Sequence, residues 1–253
     1  MRSMTSRAVS DHETSPRVYA RIAGAAYLVI IVAGVFAEFF VRSGLIVKGD
    51  AASTAANITA SEWLFRIGIA ADLVMLTCDV VVAWAIYMLF REVNKGLTLL
   101  ATFFRMAHAA VYGVTLLALY VPLLLLGGAD YLTAFGPGQL HALVLILLGA
   151  HSYGYVIGLV FFGFHCAVLG YLVFHSGIVP RVLGVLLALA AVGYLIDSFA
   201  RTLMTNYSHY ENVFTAVVFT PAFVGELAFC LWLLIKGVNV RPARSPVLGA
   251  SSE

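Results

Sequence analysis

The sequence predicts an all-α integral membrane protein, a six-helix bundle with N- and C-termini cytoplasmic, and three observations predict it. Of 253 residues, 62% are hydrophobic and only 11% charged, against roughly 45 to 50% apolar and about 25% charged in an ordinary soluble domain. A water-soluble globule cannot hide that much apolar surface, because even larger chains bury only about 75% of theirs. Second, six runs reach the roughly 20 apolar residues of a bilayer span. They are continuous, without the alternation of an outer-membrane barrel strand, so helices are expected. Third, Lys and Arg lie unevenly on the two sides of those runs.

The first run, Tyr19 to Val41, follows a long charged leader without a good small-x-small cleavage site, and is expected to stay as the first span. The connection Arg42 to Ser61 contains an Ala/Ser/Thr-rich stretch that suits a short surface helix from Ala51, with Asp50 or Ser53 as its N-cap. Spans two and three run Leu64 to Phe90 and Leu97 to Leu126, closed by Gly127-Gly128 and Gly136-Pro137-Gly138. The fourth run, Leu140 to Phe174, corresponds to roughly 50 Å of helix, too long for an about 30 Å hydrocarbon core. It must break, tilt or protrude; Gly149, Gly154 and Gly158 offer places to bend, and an interfacial helix Pro137 to Ala150 before the true span is the alternative. Val182 to Leu203 and Val213 to Ile235 complete the six. Residues 1–18 and 239–253 are expected to be disordered cytoplasmic tails around a 19–238 domain.

Orientation follows the cations. Arg2, Arg7, Arg17, Arg21, Arg91, Lys95, Arg181, Lys236, Arg241 and Arg244 fall on the side of the termini, while Arg42, Lys48, Arg66 and Arg201 fall opposite. The excess marks the cytoplasm. A net charge of +2 with no basic block argues against a nucleic-acid partner; the bilayer and a small-molecule ligand remain the expected partners, with the oligomeric state open. Cys78, Cys166 and Cys230 stand singly in spans and read as small apolar packers. No metal-ligand spacing, Walker loop, GxGxxG or Gly-x-Ser-x-Gly occurs, so no metal site is expected and the catalytic residues, if any, are unknown.

The informative residues are the charges inside apolar runs, since an ionisable group facing lipid at the membrane centre costs about 2.5 to 3.5 kcal/mol or more. Asp72, Asp79, Arg105, His108, His165 and Glu226 form an expected inner layer for ligand or proton binding, and Glu38, His151, Asp197 and Arg201 an outer polar layer. Asp72 and Asp79 are i,i+7, so both acids share a face. Arg105, His108 and Tyr112 share another, and His151, Tyr155, Gly158, Phe162 and His165 run along one stripe of span four. Asp79 with Arg105 is the expected interhelical ion pair. Asp197 and Arg201, i,i+4, are expected to pair within their helix. Glu226 has no cation in its own span; unless Arg105 or a histidine reaches it, it is expected to hold a proton. His108 is expected to bond Tyr112 or an acid. A haem b between His108 and His165 is an alternative, although the two-helix histidine pattern for stacked haems is incomplete. Gly154-x-x-x-Gly158 lets helices approach closely, favouring packing inside the bundle over dimerisation. Trp63, Phe65, Tyr131, Tyr207 and Tyr210 fit an interfacial belt at the outer ends, with Trp84 and Trp232 at the other.

The segments ARIAGAAYLVIIVAGVFAEFFVR (Ala20 to Arg42), SEWLFR (Ser61 to Arg66), HSYGYVIGLVFFGFHCAVLGYLVF (His151 to Phe174), IDSFAR (Ile196 to Arg201) and GELAFCLWLLIKGVN (Gly225 to Asn239) together resemble the bacterial multipass membrane proteins catalogued as domain of unknown function 4386. The resemblance covers Tyr19 to Asn239. It implies a bacterial cytoplasmic (inner) membrane and one compact helical domain, and brings no catalytic or binding residue. The leading expectation is binding or translocation of a small solute or proton through an intramembrane polar cavity, with Asp79 and Arg105 as a gate-like pair and Glu226 as the proton-accepting acid. A membrane-embedded redox or lipid-modifying enzyme, and a structural subunit whose buried charges are clasps, are the alternatives.

Overall fold

In a computed structural model that describes residues 15–238, the chain forms seven helices, six of them long and apolar enough to cross a membrane. They are α1 (Pro16–Leu45), α2 (Ala51–Ala60), α3 (Glu62–Phe90), α4 (Lys95–Leu126), α5 (Pro137–Ser176), α6 (Arg181–Leu203) and α7 (Glu211–Ile235). The expected tails lie outside the described residues except at 15–18, where α1 already begins with Pro16 in the first turn, a position that needs no backbone N–H.

Local chemistry sets the other boundaries. Asp50 caps α2 by accepting from the Ser53 amide at 2.9 Å. Asn94 caps α4 in the same way on Leu97 at 3.0 Å. Gly136 and Gln139 close the start of α5, and Gly177 ends it at φ +67°, a left-handed conformation suited to glycine. Two features exceed the sequence expectation. Helix α1 runs past Val41 to Leu45 through a wide π-helical stretch, Phe36–Arg42, and α7 contains another at Thr215–Phe219. Helix α4 carries a loosened turn at Leu116 ahead of Pro122, which cannot donate a backbone hydrogen bond.

Helix α5 is unbroken for 40 residues, about 60 Å at helical rise. The separate interfacial helix Pro137 to Ala150 is not formed, and Gly154 and Gly158 serve contact instead of bending. A Cβ on Gly154 would overlap the Thr115 side chain, and one on Gly158 would lie 3.1 Å from the His108 ring. The small-xxx-small face therefore docks α5 onto α4 inside the bundle.

The six long helices close a ring. Each packs chiefly against its neighbours in the order α1, α3, α4, α5, α6, α7, and α7 returns to α1, while α2 lies on α5. Short connections make successive helices antiparallel, so α1 begins and α7 ends at the same face, here the termini end; the opposite face is the far end. Outward surfaces are apolar, with Phe39, Val114, Leu189 and Leu203 among many exposed large side chains, as lipid contact requires. Toward the termini end the interior is filled by an apolar cluster that includes Val82, Ile86, Phe90, Leu172, Phe229 and Leu233. Two further apolar clusters, one with Ile58, Phe65 and Leu119 and one with Leu159, Phe162 and Ala222, fill much of the remainder around the buried polar groups.

Candidate functional site

The central layer stands about ten residues, roughly 15 Å, into the bundle from the termini end. Helix α4 supplies Arg105, fully buried, whose Nη2 lies 2.6 Å from the Asp79 carboxylate on α3. The expected ion pair is present. Arg105 Nη1 approaches His165 Nε2 on α5 at 3.2 Å, and His165 Nδ1 lies 2.8 Å from the Ala101 carbonyl oxygen. A carbonyl only accepts, so Nδ1 carries the hydrogen and Nε2 accepts from the guanidinium. The guanidinium also sits between the rings of Tyr27 and Phe162, 5.0 and 5.4 Å from their centroids, a cation–π arrangement that compensates desolvation.

Glu226 on α7 is buried beside this group. Its two oxygens accept from Tyr27 on α1, at 2.7 Å, and from Tyr194 on α6. No histidine bonds it. The layer thus holds one guanidinium for two carboxyls, supplied by five of the six spans together with α5's His165.

A second group lies nearer the far end. Arg42, from the last turns of α1, grips buried Asp72 on α3 with Nη1 at 2.7 Å and Nη2 at 3.4 Å, and its Nε meets Glu38 at 2.8 Å. Tyr112 donates to Asp72 at 2.8 Å. Asp72 therefore belongs to this group and not to the inner layer. His151 is buried against Tyr112 and donates from Nδ1 to the Thr115 carbonyl at 3.3 Å. Glu38, expected to face inward, is 58% exposed and reaches the interior only through Arg42; the π-helical stretch turns it outward while the longer Arg42 spans the gap.

A third group joins the far-end loops. Asp197 and Arg201 do not pair with each other. Buried Asp197 accepts from Tyr207 at 2.6 Å, while Arg201 meets Glu211 at 3.2 Å and covers the Tyr207 ring at 4.9 Å; Lys48 adds a 2.9 Å contact to Glu211. Burial and the bond to Asp197 push the Tyr207 hydroxyl up to about 12. Tyr207 and Phe65 therefore leave the expected belt for the interior, whereas Trp63, Tyr131 and Tyr210 are exposed as expected.

His108 departs from expectation as well. The Tyr112 hydroxyl goes to Asp72, so His108 stacks, with its ring 6.2 Å from Tyr112 and 5.0 Å from Phe162, and its Nδ1 has no hydrogen-bond partner among the described residues. A haem b across His108 and His165 does not fit these partners, because both nitrogens of His165 are engaged and a guanidinium occupies the position of an axial metal. Among the described residues no group of three or more His, Cys, Asp or Glu could hold a metal ion. Cys166 and Cys230 are buried, and Cys230 Sγ contacts the Gly24 carbonyl at 3.3 Å.

Sequence reasoning missed Arg42, Tyr27, Tyr194 and Glu211. The first sat beyond an apolar run and read as a loop cation. Tyrosines inside spans carry no charge signal, although Tyr27 and Tyr194 lie on the helices that flank Glu226 in the ring.

Comparison with known proteins adds a family and no activity. The family described as a domain of unknown function, DUF4386, matches residues 22–237, and the chain belongs to it. An uncharacterised protein of the archaeon Archaeoglobus fulgidus is 32% identical over 164 residues, 64% of this chain and 79% of that protein. No solved structure matches.

Proposed function

We propose that this DUF4386 protein binds and translocates protons, alone or coupled to a small solute, through its polar interior, with its termini in the cytoplasm of a bacterial inner membrane. The observation that supports this reading is Glu226: an acid held in the middle of the bundle by two tyrosine hydroxyls, beside an ion pair that already cancels itself. Arg105 stays charged under all ordinary conditions, and Asp79 balances it. Glu226 is then the group whose protonation changes the layer's net charge by one, which is what a proton carrier needs. Asp79 and Arg105 join α3 to α4 at the same depth and act as the gate: separating them would open the layer to water.

The test is proton flux in proteoliposomes with a trapped pH dye and a potassium diffusion potential. Wild-type protein is expected to admit protons, and Glu226→Gln, which keeps the shape and acceptor of the side chain, to fall to the background of empty vesicles. Equal flux in both would remove Glu226 from the mechanism. The second reading, a structural clasp, is favoured by the burial of the Asp79–Arg105 ion pair and its contact with His165, and its test is the double variant Arg105→Met with Asp79→Leu.

A further inference from the structure

Between the far-end polar group and Glu226 stand three tyrosines, Tyr112, Tyr155 and Tyr194. At the far end, buried Tyr112 donates to Asp72 at 2.8 Å. Its ring meets that of Tyr155 edge to face at 5.4 Å. Tyr155 packs against both the far-end apolar cluster that contains Tyr112 and the cluster of Phe162 and Tyr194, and it stands within electrostatic reach of Glu226, Asp79, Arg42 and Glu38, that is, of both polar groups. Tyr194 then donates to Glu226. In the opposite direction Glu226 meets the apolar plug: Phe229 and Leu233, one and two turns along its own helix, are fully buried together with Ile86 and Leu172. The ionisable groups facing Glu226 are Tyr27 from α1, Asp79 from α3, Arg105 from α4, Tyr155 and Cys166 from α5 and Tyr194 from α6.

We infer that Tyr112 and Tyr155 relay protons between the Asp72 end and Glu226, so that Glu226 exchanges with the far face of the membrane while the apolar plug closes the termini face. This rests on the reading of Glu226 as the proton acceptor. A proton from water at the far end adds to the Asp72 carboxylate as Arg42 stays with Glu38. Once Asp72 is protonated, the Tyr112 hydroxyl turns its hydrogen from Asp72 toward Tyr155; its oxygen takes the Asp72 proton while that hydrogen passes, across one water, to the Tyr155 oxygen. Tyr155 hands its hydrogen to Tyr194 in the same manner, and Tyr194 hands its own to the Glu226 oxygen it already bonds. Each tyrosine gains one proton and gives one, ending neutral. The net change is one proton removed from far-side water and one O–H bond formed on Glu226.

The experiment is infrared spectroscopy of the full chain in liposomes, following the Glu226 carboxyl C=O band, identified by its loss in Glu226→Gln, after a switch from H2O to D2O. Tyr155→Phe and Tyr112→Phe keep the rings and their packing and remove one hydroxyl each, so the fold should survive in at least one of them. The expected result is band-shift exchange slowed roughly tenfold or more in both variants, a barrier increase of about 1.4 kcal/mol or more. Unchanged exchange in Tyr155→Phe overturns the relay and leaves the proposed function standing. Slowed exchange with no proton flux in wild type keeps the relay and removes translocation. Absence of any Glu226-dependent carboxyl band between about pH 5 and 9 overturns both.

Discussion

The termini half and the far half of the bundle are built from the same six helices, yet they are held together by different physics. In the termini half backbones touch. A Cβ on Gly24 would lie 2.6 Å from the Leu234 nitrogen, and Cβ atoms on Gly170 and Gly184 would each fall 2.7 to 2.8 Å from the other residue's carbonyl oxygen. Glycine there buys close approach, and dispersion between helices that lipid cannot separate supplies the stability. In the far half an apolar cluster that includes Val41, Phe65, Leu119 and Val144 is joined by ion pairs and hydroxyls: Arg42 on Asp72, Tyr112 on Asp72, Tyr207 on Asp197. Such pairs are weak sources of stability against apolar isosteres. The central layer marks the border.

The largest expected effect lies at that border. Arg105→Met leaves Asp79 buried and alone, and should cost about 3 to 5 kcal/mol in reversible denaturant unfolding in micelles. Adding Asp79→Leu removes the orphan, so the double variant should recover most of that loss. If it does and also keeps wild-type proton flux, the pair is a clasp and the gate role falls. If stability returns without flux, the pair is part of the mechanism.

Next comes the plug. Gly184→Ala pushes a methyl group into the backbone of Gly170 and Phe174, and overpacking of this kind should cost about 1 to 3 kcal/mol. Gly149→Ala, with open space around it, should instead be neutral or gain up to about 1 kcal/mol from helix propensity. Equal losses at the two positions would erase the contrast between the halves. Tyr27→Phe takes one donor from Glu226 and should cost about 1 to 3 kcal/mol by leaving a buried acceptor unsatisfied.

The smallest effects belong to the far-end loops. Arg201→Ala should cost no more than about 1 kcal/mol, because its pair with Glu211 is partly in water. Tyr207 titrates at about 12 in the folded protein, above its usual value of about 10. Its support of Asp197 is therefore whole below about pH 10 and lost as the pH rises toward 12. Asp50 runs the other way. The Ser53 hydroxyl and amide hold its carboxyl below the ordinary 3.8, so its cap on α2 is whole above that value and lost on acidification. Thermal unfolding across pH, compared with Tyr207→Phe and Asp50→Ala, reads both.

The residues that were legible in the sequence are those whose cost in lipid is large. Six apolar runs became six spans, Asp50 capped α2, and Asp79 found Arg105 because two opposite charges at equal depth on neighbouring helices have few other solutions. Gly154 and Gly158 were legible as a contact face, and α5 runs through them unbroken where glycine suggested a break. What stayed hidden depends on backbone detail or on neutral groups. The reach of Arg42 to Asp72 needs α1 to continue through a π-helical stretch. Asp197 turns to Tyr207 and Arg201 to Glu211 because a loop brings partners closer than the i,i+4 neighbour. Tyrosine hydroxyls on Glu226 leave no trace in charge or spacing.

Access to the polar interior from the far end alone is read out by hydroxyl-radical footprinting of the protein in liposomes. Oxidation is expected at the part-buried Tyr155, with the fully buried Phe90 and Phe229 protected. Oxidation of Phe90 and Phe229 to the same extent as Tyr155, or of none of the three, would contradict it.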